Sequence, residues 1–415
     1  MDAIATNVKE VGVTEAKAME EVDYAHLFSE YMVSAAEQML HKVRQNQDFA
    51  WQPEQVSNGL HILEMTLASN AASPLALETV QMLAPQMEQA GHRLEWIRCL
   101  EYAVQRGQVL GDIAVVAELS LHIGYLCYLY SRFDIANEWL TKSKLFFEKI
   151  GNRSGQGRTL NRLAMVAIQQ EDCHTAEGLA AVAHSLLDST DPDLANSHFV
   201  LGEIAKHKRQ WQEAEKYYRQ SLRHWEQQDD LRKIGWGLRN LGLALCWQEK
   251  YEESLACFEK ALFLLRKIRD PVNYAMTQLN LGIVYSKLGR VSKAIEQYRL
   301  AEKTFRDVHD EVNLARTYLN LGLDYSTLGR LKDAETACLA SIRLWKRLKN
   351  IRALCNALDV LGNIYLEQNQ LEKAITTFEN ALDNLTQIES LPSYQHLFEM
   401  LSRHLVSARK ETAKN

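Results

Sequence analysis

Few residues in this sequence keep the company that bond-making chemistry needs. Cys173 and His174 put a thiol beside an imidazole, but neighbouring residues of a helix point apart and cannot share one reacting atom. Asp229-Asp230 and Glu252-Glu253 have the residue types of an acid–base pair, yet they read as helix-start charges or solvated faces. There is no glycine-rich loop ending in Gly-Lys-Ser/Thr, no His-Glu-x-x-His, no Gly-x-Ser-x-Gly and no cysteine–histidine cluster at metal-ligand spacing. The seven cysteines are scattered without a Cys-x-x-Cys pair, as buried thiols in a reducing compartment are. The expectation is a noncatalytic protein with no cofactor and no metal site.

Binding chemistry needs a scaffold, and the composition makes that scaffold helical. The 415 residues are 47% apolar and 24% charged, with only six prolines and 19 glycines, which favours long helices in an ordered soluble chain. A net charge of -6 supplies no general basic excess, so nucleic acid is an unlikely partner. No uncharged apolar run approaches the roughly 20 residues that a membrane helix needs, and no membrane insertion is expected. Met1-Asp2-Ala3-Ile4 shows no basic start leading into an apolar core, which points to a cytoplasmic protein.

The strongest pattern is periodic. Leu-Gly pairs stand at Leu201-Gly202, Leu241-Gly242, Leu281-Gly282, Leu321-Gly322 and Leu361-Gly362, four consecutive steps of 40 residues. Ile123-Gly124, Leu163-Ala164 and Leu83-Ala84 extend the series toward the N-terminus. One step, from 164 to 202, is 38, which the simplest reading places as a deletion in the Asp191-Pro192 turn. Within residues 273–309, Leu279, Leu281, Ile283, Val284 and Leu288 mark a first helix and Ala294, Ile295, Tyr298 and Ala301 a second, with a turn at Gly289-Arg290. A mid-helix glycine costs about 1 kcal/mol against alanine, so its repetition asks for a packing reason, and a close helix crossing supplies one. Repeating helix pairs stack into a solenoid.

The expected order is a flexible arm over 1–22, an N-terminal helical cap over 23–72, about eight units over 73–389, a capping helix over 390–408 and a disordered tail over 409–415. Asp23 is placed to cap a helix from Tyr24 to about Gln45, and Pro85 to bend or interrupt the first helix of the first unit.

These residues resemble the tetratricopeptide repeat. The matching positions are Leu281-Gly282-Tyr285 with Ala294-Tyr298-Ala301, Leu321-Gly322-Tyr325 with Ala334, and Leu361-Gly362-Tyr365 with Ala374-Phe378-Ala381. Departures are Ser254 and Ala205 in the fifth and fourth units, Cys338 in place of an aromatic in the seventh, and a unit of 40 residues where the common one has 34. The long unit is similar to that of spindle-orientation adaptors, kinesin light chains and the sensor domains of bacterial transcription regulators. The resemblance implies an all-α fold, a right-handed solenoid of antiparallel helix pairs with its first helices lining an inner groove.

Carried onto this sequence, the groove positions of that family fall at Tyr125 and Tyr128, at Asn196, Phe199 and Lys206, at Trp236, Arg239 and Trp247, at Met276 and Lys287, at Arg316, and at Asn356, Asp359 and Asn363. Their aromatics and arginines suit a peptide or helix of a partner protein, with the arginines as carboxylate clamps. Each has a plainer alternative: packing for the tryptophans, surface salt bridges for the arginines, and bonds between units for Asn240, Asn280 and Asn320. The leading expectation is therefore a protein–protein interaction scaffold. A sensor of a small molecule or short signalling peptide is the second, and a nucleic-acid-associated repeat protein the third.

Overall fold

From Arg209 to Asn369 every twentieth residue adopts a left-handed backbone, at 209, 229, 249, 269, 289, 309, 329, 349 and 369. The 40-residue unit is thus two half-units, each a helix and a tight reversal. In the computed structural model, which describes residues 23–45, 53–87, 93–188 and 190–412, the described residues form helices and turns and no strand. The first four helices are α1 (Tyr24–Gln45), α2 (Pro53–Ala68), α3 (Ser73–Met87) and α4 (Arg93–Leu110). Then come the pairs α5/α6 (Ile113–Leu129, Phe133–Lys149), α7/α8 (Arg153–Gln169, Cys173–Leu186) and α9/α10 (Leu194–His207, Trp211–Gln227). They continue as α11/α12 (Leu231–Cys246, Tyr251–Lys267), α13/α14 (Pro271–Lys287, Val291–Asp307), α15/α16 (Glu311–Thr327, Leu331–Leu348) and α17/α18 (Ile351–Glu367, Leu371–Leu385). The last helix is α19 (Ser393–Thr412). Successive helices pack antiparallel, each on the next, as a solenoid of helix pairs.

The two helices of a pair start differently. Asp112, Asn152, Asp230, Asp270, Asp310 and Asn350 each accept a backbone N–H from the first turn of a first helix. Second helices follow the tight turn without such a side-chain cap, except α8, where Asp172 accepts from the Thr175 N–H. Inside each pair the repeated glycine is a contact point. A Cβ on Gly282 would lie 2.3 Å from Tyr298, and one on Gly362 would lie 2.4 Å from Phe378. Buried serines exploit the same proximity: Ser143, Ser221 and Ser341 donate to the carbonyls of Ala117, Ala195 and Ala315 on the partner helix, each 26 residues back.

The 38-residue step has a different origin from the one its length suggests. Both α8 and α9 have 14 residues where their neighbours have 17. Asp188 accepts from the N–H and hydroxyl of Thr190, and Asp191 from the Asp193 N–H. These side-chain turns compete with helix on both sides of Pro192, so the helices shorten and the connection lengthens. Pro85 is within the last turn of α3, which runs on to Met87.

At the N-terminal end Asp23 accepts from the N–H groups of Ala25 and His26 at the start of α1. The arm expected over 1–22 lies outside the described residues. At the other end α19 buries Leu397, Leu401, Leu405 and Ala408. It continues to Thr412, past the expected boundary at 408, and Arg409 donates to Glu379 at 2.7 Å.

The solenoid curves until it meets itself. Glu171, in the α7–α8 turn, accepts from Arg352 Nη1 at 2.8 Å and from the Ser393 N–H at 2.5 Å, partners 181 and 222 residues further on. Tyr130, in the α5–α6 turn, packs beside the core of the later units and bonds with Glu311. With 40 residues to a unit, separations of 181 and 222 mean that about five helix pairs bring the solenoid back onto itself.

A candidate binding channel inside the superhelical turn

Closure turns the inner faces of the first helices toward one another. On α5, Tyr125 and Tyr128 stack with ring centroids 5.9 Å apart. Arg162 of α7 lies over Tyr125, its guanidinium carbon 3.4 Å from the ring centroid. On α9, Glu203 accepts from Lys206 Nζ at 2.5 Å and from the Tyr218 hydroxyl at 2.6 Å. Lys206 also reaches Asn240 Oδ1 on the next first helix at 3.5 Å, a bond between units. Arg239 of α11 is 5% exposed, and its Nη1 donates to Asn273 Oδ1 at 2.7 Å and lies 3.3 Å from Met276 Sδ.

Electrostatics couples these side chains. Burial pushes the Tyr128 phenol above its usual range, Glu203 and Tyr125 push it further, and Arg316 and Arg162 oppose them. Groups on α5, α7, α9 and α15 therefore act on one hydroxyl. Burial pushes Arg239 down to about 10, against the pull of Glu203, Tyr125, Asp270 and Tyr218. Such a depression means that water has been removed from the guanidinium faster than counter-charge has been supplied.

Six of the residues read from the sequence thus belong to one interior cluster: Tyr125, Tyr128, Lys206, Arg239, Met276 and Arg316. The others have different surroundings. Phe199 is 3% exposed and packs 4.2 Å from Trp236, which stacks in turn on Trp225, so both form the wall behind the cluster. Asn196 donates to Asp193 beside the start of α9. Trp247 is 45% exposed at the end of α11, stacked on Trp211 with Lys287 Nζ 4.8 Å above its ring, at one rim of the solenoid. Asp359 bonds His404 of α19 at 2.6 Å and Asn363 donates back to the Asp359 carbonyl, so these two face the last helix. Asn356 is half-buried on the same helix, α17.

Arg162 escaped the sequence reading although a signal was there. It precedes Leu163-Ala164 as Asn240 precedes Leu241-Gly242, so an arginine has replaced a repeated asparagine. The Glu171–Arg352 contact had no sequence signal, because it depends on curvature summed over several units.

Among the described residues no helix is long and apolar enough to cross a membrane, and no group of three or more His, Cys, Asp or Glu side chains is placed to hold a metal ion.

Stacked antiparallel helix pairs define an α-solenoid. Models of the tetratricopeptide repeat match residues 233–307 and 313–387, and another matches 197–230. Over residues 197–387 the chain is built of tetratricopeptide repeats. Its fold is similar to that of a Rap protein complexed with competence and sporulation factor, at 15% identity and a TM-score of 0.53, covering 93% of this chain and 99% of that one. It is also similar to a signal-transduction ATPase with a tetratricopeptide-repeat sensor from Pyrococcus horikoshii, at 15% identity and a TM-score of 0.51, covering 93% of this chain and 62% of that one. A comparison with curated protein sequences gives no match.

Proposed function

We propose that this protein is a noncatalytic interaction scaffold that recognises a partner through a short peptide segment, held in extended form inside the superhelical turn. The observation that carries the reading is the inward convergence of Tyr125, Tyr128, Arg162, Arg239 and Arg316 from four first helices. A purely structural repeat gains nothing from burying a guanidinium as it does at Arg239. The size of the interior favours an extended chain over a helix. Helix axes spaced about 10 Å apart, with about five to the turn, lie roughly 8 Å from the superhelix axis. Their own side chains fill about 5 Å of that, leaving room for a strand and too little for a second helix.

The Glu171 contact favours a sensor form of the same function. A peptide seated inside would change the balance at the place where the turn closes, so that binding is coupled to curvature. The bound factor in the similar Rap structure is consistent with this reading.

The test is placement of a photo-crosslinking residue at Met276, in the interior, or at Phe263, 70% exposed on the outside. Capture of a peptide-bearing partner from Met276 supports the reading. Capture from Phe263 alone places recognition on the convex face and sinks it.

A further inference from the structure

We propose that the N-terminal end of the solenoid is an interface with a second copy of this chain, formed by α1 pairing antiparallel with α1 of the other copy. The inference goes beyond the channel and does not depend on what the channel holds. A solenoid needs a polar outer face on its terminal helices, because no further unit covers an apolar one. The last helix, α19, meets that need: Gln395, His396, Glu399, Arg403, Ser407 and Lys410 are exposed along it, with Phe398 and Val406 the large apolar exceptions. The first helix does the opposite. Met32, Ala36, Leu40 and Val43 bury one side of α1 against the chain. A second apolar stripe at three- and four-residue spacing, Tyr24, Leu27, Phe28 and Tyr31, is left 81, 52, 56 and 67% exposed. Ile62 and Met65 of α2 are exposed beside it.

The stripe continues through Ala35 into a groove of about 360 Å³ between the two helices. That groove is lined by Ala35, Gln38, Met39 and Lys42 of α1 and by Ile62 and Met65 of α2. The first half of the stripe is therefore large and protruding, and the second half is small, flexible and recessed. The two halves fit each other. On an antiparallel copy, related by a two-fold axis level with Val33, Tyr31 meets Ala35, Phe28 meets Gln38, Leu27 meets Met39 and Tyr24 meets Lys42. Symmetry makes each of these contacts twice. Ala35 lets the helices approach at the centre, as small residues do at helix crossings. Phe28 enters the partner's groove, and the Tyr24 ring covers the stem and ammonium group of Lys42.

The area is of the right order. The exposed parts of Tyr24, Phe28 and Tyr31 amount to roughly 300–500 Å² on each copy. Leu27, Ile62 and Met65 extend the patch toward the roughly 600 Å² per partner at which specific interfaces begin. The self-matching order of large and small residues along one helix is what commits this surface to a second copy and not to an unrelated partner.

The experiment is sedimentation equilibrium on the full chain, which reads both the mass and the dissociation constant of the pair. Wild type is expected at twice the chain mass. Tyr31→Glu sets two carboxylates beside the axis, and Phe28→Lys takes the ring out of the groove. Each is expected to weaken the pair at least about 30-fold and to leave the helical circular dichroism unchanged, since both side chains are exposed in the single chain. Register is read by mixing Tyr31→Cys with Ala35→Cys chains, which should form the disulfide between copies under mild oxidation. Tyr31→Cys mixed with Glu37→Cys, on another side of α1, should not. A monomeric wild type overturns the proposal, including one that pairs only after residues 1–22 are removed, which would make that segment the occupant of the face. A pair that survives both substitutions at wild-type strength lies elsewhere on the chain and overturns it as well. If neither variant folds, these side chains belong to the core of the single chain and the interface is refuted. A disulfide that prefers Glu37→Cys overturns the antiparallel pairing.

Discussion

Adding one methyl group to three different glycines should move stability in three different ways. In a helix interior, alanine is better than glycine by about 1 kcal/mol, so any Gly→Ala change begins with that gain. Gly178 is exposed on α8 and a Cβ there meets nothing within 4 Å. Gly178→Ala should keep the whole gain, a stabilisation of about 1 kcal/mol. At Gly242 the new carbon would stand 3.0 Å from the Phe258 ring, about 0.5 Å inside normal contact, so strain and propensity should cancel to near zero. At Gly282 it would stand 2.3 Å from Tyr298 Cε1, with 2.7 and 2.9 Å to the next ring atoms. Tyr298 is 2% exposed and cannot swing away, so α13 and α14 must part. Overpacking of this kind costs roughly 1–3 kcal/mol, leaving a net loss of about 1–2 kcal/mol after the propensity gain. Urea unfolding followed by circular dichroism orders the three variants. In a Tyr298→Ala background the loss at Gly282 should vanish, since the ring that opposes the methyl group is gone. An equal response at Gly242 and Gly282, or a loss at Gly282 that survives Tyr298→Ala, would refute the idea that the glycines are there for the crossing.

Three further outcomes are expected. Arg209 and Arg269 are exposed residues held at φ 57° and 53°, so replacing either with glycine should raise the urea midpoint, by about 0.5–1 kcal/mol each, whereas Gly289→Ala at φ 71° should lower it similarly. Burial pushes the Glu171 carboxyl up, but hydrogen bonds from Ser393 and Arg352 outweigh it and hold it below the ordinary range. Because its folded pKa is depressed, its contribution is present above the unfolded value and is lost as pH falls through the folded one. Small-angle scattering should therefore show the turn opening in acid, and Glu171→Gln should bring the same opening to neutral pH; unchanged dimensions in both cases would count against the contact. Burial pushes the thiols of Cys99, Cys127, Cys338 and Cys355 up to about 12 and that of Cys246 to about 11, so a disulfide reagent at pH 8 should titrate no more than the half-buried Cys173 and Cys257 on the native chain.

The parts legible in the sequence are those that repeat. Gly282 facing Tyr298 recurs as Gly202 facing Tyr218, Gly242 facing Phe258 and Gly362 facing Phe378, always 16 residues apart. Where the aromatic is missing, the contact is remade with other volumes: Gly322 meets Cys338, and Gly124 meets Leu140. Phase and pairing could be read because each depends on one unit and its neighbour. What could not be read depends on several units at once. Whether Trp236 faces a ligand or a wall is decided by Phe199 and Trp225 beneath it, and whether Asp359 faces a groove is decided by His404 of the last helix. The short third and fourth units show the same limit, since Asp188 and Asp191 remove residues from the helices on either side of Pro192.

Regularity and recognition pull against each other at the position of Arg239, Leu279 and Leu319. A leucine there extends the apolar surface between units and is what a stacking repeat would choose every time. An arginine must give up most of its hydration, and among the described residues its hydrogen bonds go to an amide oxygen and a thioether. The neighbouring units show that the exchange is unnecessary for folding, because Asn313 tolerates the leucine before it with its oxygen unpartnered. Departures from a repeat that make the scaffold worse are the places where something outside the scaffold is being served. By that criterion Arg239 and Arg162 rank above the exposed Trp247, whose stacking on Trp211 and pairing with Lys287 already account for it.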